Sequence, residues 1–329
     1  MRLVLWLAAA ALPLAAQPKL LVNAQVDTRS AAAGLEREFK TLASAQPQPA
    51  WIGYTAPVLE GHSLGCELVS PNGWWAPGVV HLEPPDHLVV LFRVESGAVE
   101  RVRAISPDCE IDGGGAPVHW LTDVRPAESV AMLSAMAAGP GRAADGALTA
   151  LALHADPSAD AALESLVGPA QPAFLRERAV YWLGVANDGR RIETLQRLLA
   201  AGLPEAVEQR AISGLGAGKS PAATDLLISI AHEDRNPRMR AQAVSALARK
   251  PDPKAVDAIV AAIQKDADVQ VQRRAVNALQ SLPNAEGIPL LIQTAKTSQS
   301  AEVRKQAMSC LSQSRDPRAA SFFEDLLKK

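Results

Sequence analysis

The stretch Arg274-Ala275-Val276-Asn277-Ala278-Leu279 places an alanine four residues before a leucine, and this pair recurs along most of the chain. Successive alanines are 32 residues apart, and the leucines follow in the same register. The six pairs are Ala147 and Leu151, Ala179 and Leu183, Ala211 and Leu215, Ala243 and Leu247, Ala275 and Leu279, and Ala307 and Leu311. A fixed interval of this length predicts a repeat architecture, and we number the copies 1 to 6 in chain order.

Each copy has a turn signal nine residues after its alanine. The six signals are Asp156-Pro157, Asp188-Gly189, Ser220-Pro221, Asp252-Pro253, Asn284-Ala285 and Asp316-Pro317. Aspartate and serine cap helix N-termini, and proline fits the first helical position. Each copy is therefore predicted to contain helix A, which carries the alanine, then a turn and helix B. Neither helix can bury its apolar side alone, so the copies are expected to stack into an α-solenoid.

The repeated segments resemble HEAT repeats. The resemblance rests on Arg178-Ala179-Val180-Tyr181-Trp182-Leu183-Gly184, on residues 274–279 and on the Asp-Pro turns, and it covers about 190 residues from Arg142 to the end. The short period is similar to the bacterial HEAT-like type also seen in phycobilisome lyase subunits, although it does not imply lyase activity. The resemblance implies a right-handed α-superhelix that is used mainly as a protein-binding surface.

The segment before the repeats lacks the 32-residue period. Residues 18–125 predict a small α+β domain, with a helix over residues 31–44 that Ser30 caps and a hairpin turn at Ser96-Gly97-Ala98. Strands are predicted near residues 51–54, 79–82, 87–94, 99–105 and 118–121. Residues 126–329 are assigned to the solenoid. The predicted fold class is mainly α: six 32-residue HEAT-like helical hairpins preceded by a small α+β domain.

The first sixteen residues have the pattern of a secretory signal peptide. Arg2 is followed by an apolar run from Leu3 to Leu14, and cleavage is predicted after Ala16. A helix over this run is only about 18 Å long, whereas a bilayer core is about 30 Å thick, so stable membrane insertion is not expected. We therefore expect an exported protein, either periplasmic or extracellular.

The three cysteines agree with export. Cys66 and Cys109 lie in the N-terminal third of the chain and are the natural disulfide pair in an oxidising compartment. Closing this loop would stabilise the fold by up to about 4 kcal/mol in the chain-entropy description. Cys310 takes a position where the other copies have mostly small residues, so we expect a buried thiol.

The N-terminal domain holds residue types that suit ligand binding or catalysis. Tryptophan is enriched at interface hot spots, and Trp74 and Trp75 stand in a predicted loop where exposure is expected. Trp51 and Trp120 are open to the same interpretation or to a place in the core. The histidines of this domain, which are candidates for metal ligands or a general base, are His62, His81, His87 and His119. They show no ligand spacing and no nucleophile motif accompanies them, so no catalytic residue is predicted.

Metal, cofactor and nucleic-acid sites are not predicted in the repeats. Those HEAT-like enzymes that hold a di-iron centre have several His-Glu pairs at equivalent positions, whereas this chain has His232-Glu233 in one copy only. The A helices are rich in arginine, but acidic residues are interleaved and the formal net charge of the chain is −2. This balance argues against a protein that coats nucleic acid. The arginines are instead expected to bond to adjacent turns and acids.

Three apolar residues occupy one equivalent position in consecutive B helices: Ile228, Val260 and Ile292. They either form an exposed strip for a partner protein or belong to the core between repeats. The prediction for function is a non-enzymatic scaffold or adaptor that acts outside the cytoplasm through the solenoid surface. The alternative is small-ligand or glycan binding, or an enzyme activity, in the N-terminal domain.

Overall fold

The computed structural model describes residues 21–60, 66, 86–186 and 188–328. Its described residues form two compact units, one that ends at Ala159 and one that begins at Asp160. The predicted domain boundary at residue 125 separates the α+β segment from the helical part of the sequence. This boundary stays a prediction. No helix among the described residues is long and apolar enough to cross a membrane.

The described residues of the first unit form a small α+β fold. Its elements are β1 (Leu21–Val22), β2 (Gln25–Ser30), α1 (Leu35–Ser44), β3 (Ala50–Pro57), β4 (His87–Glu95), β5 (Ala98–Ile105), β6 (Ile111–Asp112), β7 (Pro117–Thr122), α2 (Pro126–Ala138) and α3 (Ala143–Leu153). Five strands form one sheet in the order β2-β7-β3-β4-β5, and β1 pairs with β6. The small α+β region that the sequence predicts is therefore present.

The apolar strands form the centre of this sheet. Strand β4 pairs in antiparallel fashion with β3 on one side and with β5 on the other. Ser96 and Gly97 join β4 to β5 with positive φ angles of 53° and 78°, which confirms the predicted hairpin. Val89 and Trp120 belong to a buried cluster on this sheet, so Trp120 is a core residue.

Two predictions for this unit are corrected by the structure. The first helix begins at Leu35 rather than Ala31, because Ser30 is the last residue of β2 and pairs with Thr122. The Ser30 hydroxyl donates to Asp123, at 2.6 Å, instead of capping the helix. Strand β2 was not predicted, since all six of its residues are exposed and no apolar alternation marks it. The strand predicted at residues 79–82 lies outside the described residues.

Helix α3, the A helix of copy 1, packs against the sheet of the first unit. A β-carbon placed on Gly146 would lie 2.0 Å from the carbonyl oxygen of Val102 in β5, so only glycine permits this approach. At the end of α3, the Leu59 amide donates to the Leu153 carbonyl at 2.9 Å. The first unit therefore includes part of the predicted repeat region.

The remaining helices follow the predicted A–turn–B pattern. They are α4 (Pro157–Val167), α5 (Ala173–Val185), α6 (Gly189–Ala201), α7 (Glu205–Ala217), α8 (Pro221–Glu233), α9 (Pro237–Leu247), α10 (Pro253–Lys265), α11 (Val269–Gln280), α12 (Gly287–Thr297), α13 (Ala301–Ser312) and α14 (Pro317–Leu327). In the second unit the A helices α5, α7, α9, α11 and α13 pack on one another in chain order. The predicted α-solenoid is confirmed.

The alanine and leucine pairs form the buried seam of the repeats. Every one of the six alanines has 0% exposure, and each leucine has at most 1%. The side chains of Asp188, Asp252 and Asp316 cap their helices as the sequence predicts, since each accepts from the backbone amide two residues later. The side chain of Ser220 makes no cap hydrogen bond to α8. Small size at the alanine position is needed where neighbouring A helices approach closely.

Replacing Ala211 with leucine should lower the free energy of unfolding by about 1–3 kcal/mol, because the larger side chain overpacks a fully buried position. Ala206 stands in the same helix but is exposed, so Ala206→Leu is the matched control. Urea denaturation followed by circular dichroism measures both changes. Equal effects of the two substitutions would show that the seam does not require a small residue.

Candidate functional site

The predicted aromatic and histidine sites of the N-terminal region are only partly within the described residues. Trp74, Trp75, His62 and His81 lie outside them. Trp51 is half-buried against the core cluster that contains Trp120. The structure therefore describes no contact surface made by the two loop tryptophans.

The two described histidines of this region bond to different surface acids. His87 Nδ1 lies 2.6 Å from Asp86, and His119 Nδ1 lies 3.4 Å from Asp27. The hydrogen bond from Arg29 and the contact with His119 lower the pKa of Asp27, although its desolvation opposes them. Among the described residues, no three His, Cys, Asp or Glu side chains are grouped so that they could hold a metal ion.

The cysteines are placed as the sequence predicts. Cys66 and Cys109 form a disulfide, and their Cα atoms are 5.2 Å apart. Cys310 is buried, and that burial raises the pKa of its thiol. The thiol donates to Asn277 Oδ1 at 3.4 Å, so Cys310 has a packing role between copies 5 and 6.

Ile228, Val260 and Ile292 form what we call the B-helix strip. They lie on α8, α10 and α12, and each side chain is half-buried. Part of each residue is thus available to a partner and part packs within the repeats. Val260 also lines a cleft of about 280 Å³, whereas Ile228 and Ile292 do not.

A second repeated feature links the A helices of copies 2, 4, 5 and 6 to the turn before them. Three residues before the repeat alanine, side chains donate to backbone carbonyl oxygens of that turn. Arg176 donates to Val167 at 2.9 Å, Arg240 to Asp234 at 2.9 Å, Gln272 to Asp266 at 2.8 Å and Arg304 to Ser298 at 2.7 Å. For these three arginines, the expected bonding to adjacent turns is confirmed.

Copy 3 has an acid at this position, Glu208. In copy 4 the corresponding residue, Arg240, forms a two-point ion pair with Asp266, with both distances 2.8 Å. Glu208 instead faces Asp234, which is the equivalent of Asp266. Desolvation by burial and the interaction with Asp234 raise the pKa of Glu208 to about 7. The protonated carboxyl can donate a hydrogen bond here, as Arg and Gln do in copies 2, 4, 5 and 6.

Replacing Glu208 with glutamine should stabilise the protein at about pH 8 and reduce the pH dependence of its stability. Because the pKa of Glu208 is raised in the folded state, the folded protein holds the proton more tightly than the unfolded chain. The free energy of unfolding should therefore fall as the pH rises from about 4.5 to about 7. Glutamine occurs at this position in copy 5 as Gln272, so the repeat geometry accepts it.

Urea denaturation at about pH 5 and about pH 8 tests this prediction. Glu302→Gln is the control, since Glu302 is an exposed glutamate of α13. A gain in stability from Glu208→Gln that is the same at both pH values would contradict the assignment of the titrating group.

Part of the chain matches a known repeat family. A family model described as HEAT repeats matches residues 192–268 and 256–329. Among solved structures, human deoxyhypusine hydroxylase in complex with glycerol is similar over 60% of this chain and 77% of that chain, with 20% sequence identity and a TM-score of 0.32. No curated protein sequence matches the chain significantly. The matched residues extend from α6 to the end of the chain.

Proposed function

The chain is a HEAT-repeat protein, and on this basis we propose that it is a non-enzymatic scaffold that binds a partner protein through its solenoid surface. HEAT repeats are helical repeats that commonly bind proteins. Stacked repeats present an extended surface on which modest contacts add up over a large area. The proposal concerns the repeat region, where the family match lies.

The observation that carries the proposal is the B-helix strip. Ile228, Val260 and Ile292 repeat at one position on three B helices, and each stays partly accessible. A regular row of partly exposed aliphatic side chains offers apolar area to a partner without leaving the residues unsupported in the fold.

Polar groups on the same helices as the strip can act as its rim. Lys254 and Asp225 join α10 to α8 through an ion pair of 3.3 Å, and both side chains are largely exposed. Interfaces typically combine an apolar centre with a polar, solvent-accessible rim. The strip and its ion pair have this arrangement.

We place this scaffold outside the cytoplasm as part of the same proposal. The signal-peptide pattern of residues 1–16 supports export, although those residues lie outside the described ones. The disulfide between Cys66 and Cys109 also supports it, because such bonds persist in oxidising compartments.

Placing a lysine on the strip should weaken partner binding. Full-length protein is used as bait in extracytoplasmic extract, and the captured protein is identified and purified. Affinities are then measured for Ile228→Lys, Val260→Lys and Ile292→Lys. Each should bind at least roughly tenfold more weakly, or by about 1.4 kcal/mol, since the charge must be desolvated at the interface.

Gln280→Lys adds the same charge at an exposed position of α11 and serves as the control. It should bind as the unmodified protein does, and all variants should keep a helical circular dichroism spectrum. A partner that binds the three strip variants with unchanged affinity would overturn the assignment of this surface.

Export predicts a processed protein. Mass spectrometry of the protein from its natural source should find a mature chain that begins at or near Gln17, and Cys66 and Cys109 should resist alkylation until they are reduced. A chain that retains residues 1–16 in the cytoplasm, with reactive thiols at both cysteines, would contradict the extracytoplasmic location.

A further inference from the structure

Arginine stands directly before the repeat alanine in copies 2 and 3, and we call Arg178 and Arg210 the arginine pair. The pair lies on the neighbouring A helices α5 and α7, within the second compact unit. Copy 5 also has an arginine at this position, Arg274, whereas copies 4 and 6 have Gln242 and Gln306. Copies 2 and 3 are therefore adjacent copies that both carry a positive charge here.

The glutamines show what the repeat requires at this position. Gln242 donates to the carbonyl oxygen of Gln209 on the preceding A helix, at 2.9 Å, and Gln306 donates to Asn277 Oδ1 at 2.7 Å. A neutral amide is therefore sufficient to link one A helix to the helix before it. Two consecutive arginines add a charge that the stacking of the repeats does not require.

Glycines bring the arginine pair together, because they let α5 and α7 approach closely. A β-carbon on Gly184 would lie 2.6 Å from the amide nitrogen of Leu215, and one on Gly214 would lie 2.3 Å from the carbonyl oxygen of Tyr181. Only glycine permits these approaches. Side chains at equivalent positions of the two helices are therefore neighbours.

The two guanidinium groups are close enough for their charges to interact. Burial and the positive charge of Arg210 both lower the pKa of Arg178. Arg210 also lies over the ring of Tyr181, with its Cζ atom 5.5 Å from the ring centre. Like charges held side by side repel each other, and an anion that contacts both relieves this repulsion. The pair therefore favours a negatively charged group.

Most of the acidic side chains on α5 and α7 are directed to the next copy. Glu205 pairs with Arg238 at 3.5 Å, and Glu208 faces the acid at the end of α8. Glu177 is the third acid of these two helices, and the charge of Arg176 offsets it. The arginine pair therefore leaves this surface positive.

Aromatic side chains accompany the pair on α5. Phe174, Arg178 and Tyr181 are spaced i, i+4 and i+7, so they follow one face of the helix. Phe174 is 58% exposed, and Tyr181 is half-buried. The surface therefore presents an exposed apolar ring beside two positive charges.

We propose that the arginine pair binds an acidic segment of a partner protein, and that an apolar residue of this segment packs on Phe174. Guanidinium groups are planar and bind carboxylates through two parallel hydrogen bonds. This inference rests on the proposed scaffold function. It names the partner chemistry recognised by the A helices, whereas the B-helix strip lies on the B helices.

The small extent of the pair favours a peptide over a polyanion such as nucleic acid. The axes of packed helices are about 8–10 Å apart, a distance that about three residues of an extended chain span. Gln242 follows at the same position in copy 4, so this row of charges is two helices wide. The formal net charge of the chain, −2, also disfavours nucleic acid.

A random heptapeptide library displayed on phage tests the ligand class. Selection on the full-length protein should enrich peptides that have acidic residues beside an apolar residue. Arg210→Gln should weaken the binding of these peptides about tenfold or more, because it removes one charge of the pair. Glutamine occurs at this position as Gln242 and Gln306, so the variant should keep the unfolding midpoint of the unmodified protein.

Arg274→Gln is the matched control, since it makes the same exchange at the same repeat position of α11. Arg210 and Arg274 are both exposed, and Arg274→Gln should leave peptide binding unchanged. Phe174→Ala should weaken peptide binding about threefold or more, because it removes exposed apolar surface beside the pair.

The proposal is overturned if selection enriches no acidic residues, or if Arg210→Gln and Arg274→Gln bind the enriched peptides equally well. Heparin and a single-stranded oligonucleotide are tested in parallel. Tighter binding of either polyanion, lost in Arg210→Gln but kept in Phe174→Ala, would assign the pair to a polyanion instead.

The two proposals can fail separately. If a captured partner depends on the B-helix strip but acidic peptides are not selected, the scaffold stands and the assignment of the arginine pair fails. If acidic peptides bind through Arg210 but no captured partner depends on the strip, the strip assignment fails and the arginine pair remains.

Discussion

Close approach of neighbouring A helices is the constraint on which the repeat structure depends. The repeat alanines are fully buried in all six copies, and the leucines four residues later are buried beside them. At Gly214, a β-carbon would lie 2.3 Å from the carbonyl oxygen of Tyr181 on the preceding A helix. Burial of leucine supplies free energy, about 25 cal/mol per Å² of apolar surface, but only when small residues let the helices meet.

Regular stacking makes each departure from the repeat informative. The residue three before the repeat alanine usually donates to a carbonyl oxygen of the preceding turn, which buried backbone requires. Glu208 replaces that donor with an acid beside Asp234, and burial together with Asp234 raises the pKa of its carboxyl group. In copy 5 the 3-10 helix over Pro283–Ala285 precedes Gly287, whose close approach to the Leu279 carbonyl brings α12 against α11. The first departure places two carboxyl groups together, whereas the second changes how two helices meet.

The N-terminal region shows which strands a sequence pattern can reveal. The inner strands β3 and β4 are rich in buried apolar residues, and the sequence predicts both. Edge strand β2 has six exposed residues and pairs through its backbone with β7, so its side chains carry no apolar signal. The same pairing explains why Ser30, a plausible helix cap by residue type, ends a strand instead.

The sequence by itself determined the helical hairpins, their 32-residue period, the buried seam and the pairing of Cys66 with Cys109. Helix caps and apolar spacing act between residues that are close in the sequence, so they can be read from it. The disulfide could be predicted because residue type and number leave one natural pair of cysteines. Only the tertiary structure decided that α3 packs on the first sheet, that the B-helix strip is half-buried, and that neutral amides surround a cleft. Gln264 and Gln293 do not share a repeat position, so the 32-residue period does not indicate that they line one cleft. A cleft depends on the distance between two helices, and that distance is set by packing among residues far apart in the chain.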